Sequence, residues 1–268
     1  MLILLPPSEG KTAPRRGKPL DLGALSFTHL SPQRTEVLAA LVDLCTTQDP
    51  EVAAKVLGLG RTQTDRVLTN ARLAQAPTAR ADQVYSGVLY EALDLGSLEG
   101  PARRRASGWL AVTSSLFGLV RPADRIPAYR LSGDVTLPGV GTLSTYWSRH
   151  LDATVGEAAG RGLVVDLRSS TYASFWRPAP ALASRVAVLR VLHEAGSSAG
   201  SGQRGVRKVV SHFNKATKGR LVRDLLEHGG TPSGPARFAD HLTDLGWKVE
   251  VGEAGRHGTR LDVVVSEL

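Results

Sequence analysis

The chain reads as an α/β protein, a mixed α+β single domain over 1–268 with a central mixed sheet and a helical insertion at 34–75. Three observations predict this. Short, β-branched apolar runs at 1–5, 110–113 and 163–167 suit strands buried on both faces. Between them lie stretches with apolar residues at helical spacing. And 268 residues suffice for one large core without demanding a second.

Met1-Leu2-Ile3-Leu4-Leu5 is the first buried strand; five residues without a basic leader, running into Pro6-Pro7, make neither a signal peptide nor a membrane span. The junction Ser8-Glu9-Gly10-Lys11-Thr12 follows. Its Gly-Lys-Thr hints at a phosphate loop, but the first glycine of that pattern would fall at Leu5, so the pattern is absent. Such a junction can hold an anion or do acid–base work, or Glu9 and Lys11 can simply pair.

Helical periodicity runs from Arg34 to Asp43 and again from Glu51 to Leu73. Cys45, alone of its kind, lies in the first run as a buried inert thiol, which with the missing leader points to a cytoplasmic setting. Within the second run, Val56-Leu57-Gly58-Leu59-Gly60-Arg61 resembles the turn of a helix-hairpin-helix, whose backbone amides face a DNA phosphate; it equally fits an ordinary glycine-terminated helix. Tyr85 and Tyr90, around Ser86-Gly87, fit core packing before a helix at 91–95.

The stretch 110–131 is the organising one. A buried strand turns through Ser114 and Ser115 into a loop that carries Arg121, Arg125 and Arg130 against the single carboxylate Asp124, stiffened by Pro122 and Pro127. An ion pair with Asp124 would tie the loop down. The surplus guanidiniums would still invite an external anion, which arginine grips bidentately.

Gly133-Asp134 and Pro138-Gly139 signal a hairpin, leading to a helix at 143–159. The strand at 163–167 ends in Arg168-Ser169-Ser170-Thr171-Tyr172. Runs at 185–193 and 205–212 read as two strands around a Ser/Gly-rich loop at 195–202, the second leaving through a basic tip into a helix at 221–227. A helix at 235–245 and strands at 247–251 and 260–265 complete the chain.

Lys and Arg number 33 against 25 Asp and Glu, giving +8 and a pI near 10.0, which favours anionic partners, nucleic acid or phosphorylated small molecules. The arginine run at 103–105 reads as a solvated helix face. Lys11, Arg121, Arg130, Arg168, Lys215, Lys218 and Arg220 all sit at strand ends, which converge on one edge of an α/β sheet. Six phosphate contacts among them would make binding steeply salt-dependent, at a slope of about −0.9 per contact. The seven histidines show no metal-ligand spacing, so neither metal nor other cofactor is expected.

The segments 2–12, Tyr85-Ser86-Gly87, 118–122 with Asp124, Tyr129-Arg130-Leu131, 166–172 and 211–219 together resemble the YaaA family of peroxide-stress proteins, also called UPF0246 or DUF328. The match runs in order along nearly the whole chain. Here Pro-Pro-Ser-Glu-Gly stands before the lysine where other members have a shorter Ser-Pro-Ala. The resemblance implies a cytoplasmic protein that limits iron-dependent oxidative damage, with a helix-hairpin-helix element at Gly58, Gly60 and Arg61. It also implies a basic cleft for duplex or distorted DNA, and no membrane partner. A competing reading is an enzyme acting on a small phosphorylated or nucleotide-like anion. Ser8, Glu9, Lys11, Asp124, Tyr129, Ser169, Tyr172 and His212 form its candidate acid–base set.

Overall fold

The computed structural model describes residues 1–194, 207–208 and 211–265, with the backbone alone for Arg61, Arg207, Lys208, Ser211 and His212. The Ser/Gly-rich loop at 195–202 lies outside the described residues.

The apolar runs do form the strands, and each of the first three is buried throughout. Among the described residues eight strands make one sheet: β1 (Leu2–Leu5), β2 (Leu110–Ser114), β3 (Gly118–Val120), β4 (Val164–Asp166), β5 (Val186–Glu194), β6 (Arg207–Lys208), β7 (Lys248–Gly255) and β8 (Gly258–Val265). Their order is β7-β8-β5-β4-β1-β2-β3, with β6 on β5. Strand β1 is parallel to both neighbours, Ile3 opposite Leu110 and Leu4 opposite Asp166. Strands β4, β5 and β8 continue the parallel set, whereas β3, β6 and β7 pair antiparallel.

This order fixes where a site can form. The chain leaves β1 towards β2, then returns across it to β4 and leaves β4 towards β5. Strand order therefore reverses between β1 and β4, and the crevice beyond the carboxyl ends of two such strands is where open α/β sheets bind ligands. The segments leaving these strands are 6–12 and 167–172.

The helical insertion comprises α1 (Ser31–Thr47), α2 (Pro50–Val56) and α3 (Asp65–Ala71). The run from 51 to 73 thus breaks in two, because Gly58 takes a left-handed φ of 64° and a 3-10 turn at Arg61–Gln63 follows. Asp49 caps α2 by accepting the Glu51 amide at 2.8 Å. Further along lie α4 (Val88–Leu93) and α5 (Gly100–Trp109). The stretch 143–159 is two helices, Leu143–Ser148 and Leu151–Ala159, divided at Arg149-His150. The hairpin expected at 133–139 is present as Thr136–Leu137 paired with Gly141–Thr142.

One segment differs in kind. The strand read over 205–212 is only the two-residue β6 among the described residues, and helix α6 (Ser211–His228) begins ten residues before the predicted 221. Asn214, Lys215 and Thr217 obscured its periodicity, while Leu221, Val222, Leu225 and Leu226 beyond them are fully buried. Helix α7 (Pro235–Asp244) follows and buries Phe238 and Leu242.

Arg34, the first residue of a helical run in the sequence, is fully buried. It donates to the carbonyls of Ser26, Phe117 and Leu119 at 2.7–3.0 Å, fixing β3 against α1. Burial lowers its pKa to about 10, still charged at neutral pH.

Candidate functional site

At the carboxyl edge of the parallel strands, segment 6–12 is stitched to segment 84–90. The Thr12 amide donates to the Val84 carbonyl at 2.8 Å, Ser86 N to Ser8 Oγ at 3.1 Å, and Tyr90 Oη to the Pro6 carbonyl at 2.6 Å. From the other side, buried Asn70 of α3 clasps Arg130, donating to its carbonyl at 2.7 Å and accepting its amide at 2.9 Å. Asn70→Ala is expected to cost about 2 kcal/mol, since both Arg130 groups lose their buried partner. Thermal unfolding measures it.

These clasps enclose a cavity of about 270 Å³ whose lining includes Glu9, Lys11, Arg66, Thr69, Tyr129 and Arg130. Arg66 and Thr69 project from one face of α3 beside buried Val67 and Asn70. Glu9 pairs with Arg130 at the rim. The Lys11 Nζ donates to the Ser8 carbonyl at 2.8 Å and lies 4.2 Å from the centre of the Tyr129 ring. No carboxylate forms an ion pair with Lys11 among the described residues. Burial, reinforced by the Arg66 charge, pulls its ammonium down to about 7, so near neutrality much of it is a free amine.

Beneath the lysine, Tyr129 Oη bonds both Tyr85 Oη at 3.0 Å and Ser114 Oγ at 2.8 Å. Burial pushes both phenols well above their ordinary range. They remain protonated and serve as a rigid floor. Tyr172, buried close by, is raised for the same reason.

Across the strand reversal, Arg168 is consumed internally. Its guanidinium holds Asp166 at 2.7 and 2.9 Å and donates to the Tyr172 and Trp176 carbonyls. Burial favours the neutral acid at Asp166, yet Arg168 and then Lys218 outweigh it and lower the carboxyl below its ordinary 3.8. The stability this pair contributes is present in full above pH 3.8 and lost as the pH falls through the lower folded-state value. Asp166→Asn leaves Arg168 a buried unpaired charge and is expected to cost about 3–5 kcal/mol, read by urea unfolding. Lys218, from α6, donates to the Leu167 carbonyl at 2.8 Å on the same edge. Lys215 and Arg220 are exposed on that helix, and Ser169 is exposed. The side chains of Arg61 and His212 lie outside the described residues.

Two expected members sit elsewhere. Arg121 follows β3, which runs antiparallel, so it returns to the opposite edge of the sheet. There it donates to the Gly108 and Leu110 carbonyls at 2.8 and 2.9 Å, and its charge acts on the Met1 amino group. The convergence of all strand ends on one edge holds only for parallel strands. Asp124 accepts from Ser26 N, Ser26 Oγ and Arg121 N at 2.7–2.9 Å and ties its loop down. Arg66 was the site residue not singled out in the sequence; its signal is the polar row Gln63, Arg66, Thr69 on one helical face. Among the described residues no group of His, Cys, Asp or Glu gathers as a metal site, and no helix is long and apolar enough to cross a membrane.

Fold and pocket together define a mixed α/β protein with a basic pocket where the segment leaving β1 meets α3 and residues 128–130. A family model described as "Peroxide stress protein YaaA" matches residues 1–244. Similar curated proteins include a UPF0246 protein of Streptomyces coelicolor, 49% identical over the whole of both chains. Another, from Corynebacterium efficiens, is 41% identical over 98% of this chain and all of its own. The chain belongs to the YaaA (UPF0246) family of peroxide stress proteins.

Proposed function

We propose that the protein works in the cytoplasm under peroxide stress by binding the phosphate backbone of DNA, duplex or distorted, without reading sequence, and so limits iron-dependent damage to it. One observation carries this reading: where the segment leaving β1 meets α3 and 128–130, Lys11, Arg66 and Arg130 converge, with Glu9 the one carboxylate among the described lining residues and Asp65 3.6 Å from the Arg66 guanidinium. Lys215 and Arg220, both exposed on α6, add positive charge outside the pocket. The α2–α3 turn favours a helix-hairpin-helix role, because a Cβ built at Gly58 or Gly60 would meet nothing within 4 Å and a backbone can approach closely.

The test is fluorescence anisotropy of labelled duplex and bubble DNA across a salt series. Four contacts, from Arg66, Arg130, Lys215 and Arg220, predict log affinity falling with log salt at a slope of about −3 to −4, with little dependence on base sequence. Salt-insensitive or absent binding contradicts the reading. The pocket, about 270 Å³, favours a second one, an enzyme for a small phosphorylated anion: such a molecule fits inside, whereas a duplex can meet only the partly exposed Arg66 and Arg130 side chains at its mouth.

A further inference from the structure

Phosphate binding leaves Lys11 unexplained. An anion cradle benefits from a fixed positive charge, yet burial lowers the pKa of this lysine to about 7. Its amine is held by the Ser8 carbonyl on one side and the Tyr129 ring on another, and the described carboxylate of the pocket, Glu9, is engaged by Arg130. The two guanidiniums of Arg66 and Arg130 line the same small cavity. A lysine amine oriented by two contacts beside two phosphate-binding guanidiniums is the arrangement of a nucleophile.

We propose that Lys11 condenses with an aldehyde carried a few carbons from a phosphate, which Arg66 and Arg130 hold, to form an imine. The amine nitrogen adds to the carbonyl carbon while one of its hydrogens passes to the carbonyl oxygen. The resulting carbinolamine then loses that oxygen as water with the second amine hydrogen, leaving the C=N bond. No oxidant or reductant takes part. Two sources supply such an aldehyde: the ring-opened sugar at an abasic site in DNA, and a free sugar phosphate. The first rests on the DNA reading above; the second does not.

The groups facing the amine are Arg66 on α3, Glu9 and Arg130 at the rim, and Tyr85 and Tyr129 beneath. The phenols stay protonated, and Arg66 reinforces the lowering of the Lys11 pKa to about 7. Imine formation should therefore rise with pH through about 7 and then level, well below the range of an ordinary lysine.

The experiment is trapping with sodium borohydride, which delivers hydride to the imine carbon and fixes a secondary amine. Full-length protein is treated in one arm with a duplex carrying an abasic site, in the other with deoxyribose 5-phosphate, and the adduct is located by peptide mass spectrometry. Anisotropy with intact duplex runs in parallel and reads DNA binding independently. The proposal expects an adduct on Lys11 in at least one arm, lost in Lys11→Arg and reduced at least tenfold in Arg66→Ala. An adduct with the abasic duplex places the aldehyde in DNA; one with the sugar phosphate alone places it in a free metabolite. Because the adduct is mapped in the wild-type protein, misfolding of a variant cannot mimic success. No adduct in either arm, or adducts spread over surface lysines and unchanged in Lys11→Arg, overturns the proposal whether or not intact duplex binds.

Discussion

Combining Arg66→Glu with Arg130→Glu is expected to weaken duplex binding about 100-fold at 0.1 M salt and to flatten the salt slope by about 2. Both guanidiniums line the pocket beside the segment leaving β1. Their loss removes two phosphate contacts, and the new carboxylates beside Glu9 repel the backbone. Arg121→Ala is the matching control. Its side chain lies at the other edge of the sheet, donating to the Gly108 and Leu110 carbonyls, so DNA affinity should be unchanged while stability falls modestly. Equal loss of affinity in both proteins would place the DNA elsewhere. Circular dichroism separates lost binding from lost folding.

Gly219→Ala is expected to destabilise the protein by about 3 kcal/mol or more, although alanine is the better helix former. Gly219 lies within α6 where it crosses α4, and a Cβ there would stand 2.3 Å from the Leu89 carbonyl oxygen and 2.9 Å from the Ala92 Cβ. Backbone cannot step aside as a flexible side chain would, so the helices must part. That displacement would also draw Lys218 from the Leu167 carbonyl. Gly108→Ala in α5, where a Cβ meets nothing within 4 Å, should cost nothing or add stability. Denaturant unfolding of the two variants gives the comparison.

The strands that position the pocket were legible because burial on both faces forces continuous apolar runs, and 2–5, 110–114 and 164–166 have little else. Lys11 and Arg130 were legible too, as charges just past a strand or at the end of a proline-stiffened loop. What composition overstated was the free positive charge. Arg34, Arg121 and Arg168 all turn inward to main-chain carbonyls, a use of arginine that leaves no mark on a charge count. Strand direction was equally hidden: nothing in 118–120 announces an antiparallel return, and that return alone removes Arg121 from the site. Arg66 was invisible for a third reason. Its place in the pocket depends on the Asn70 clasp, a contact 60 residues apart in sequence.

On the DNA-binding proposal, the anion-binding face is the carboxyl edge where segment 6–12 meets α3 and 128–130. Hydrogen–deuterium exchange of the full chain with and without duplex DNA at low salt tests it most directly. Protection is expected at 6–12, 61–70, 128–131 and 215–220, with no change at 121–125 or in β3. Protection centred on 121–125, with the pocket segments exchanging as in the free protein, would contradict the account.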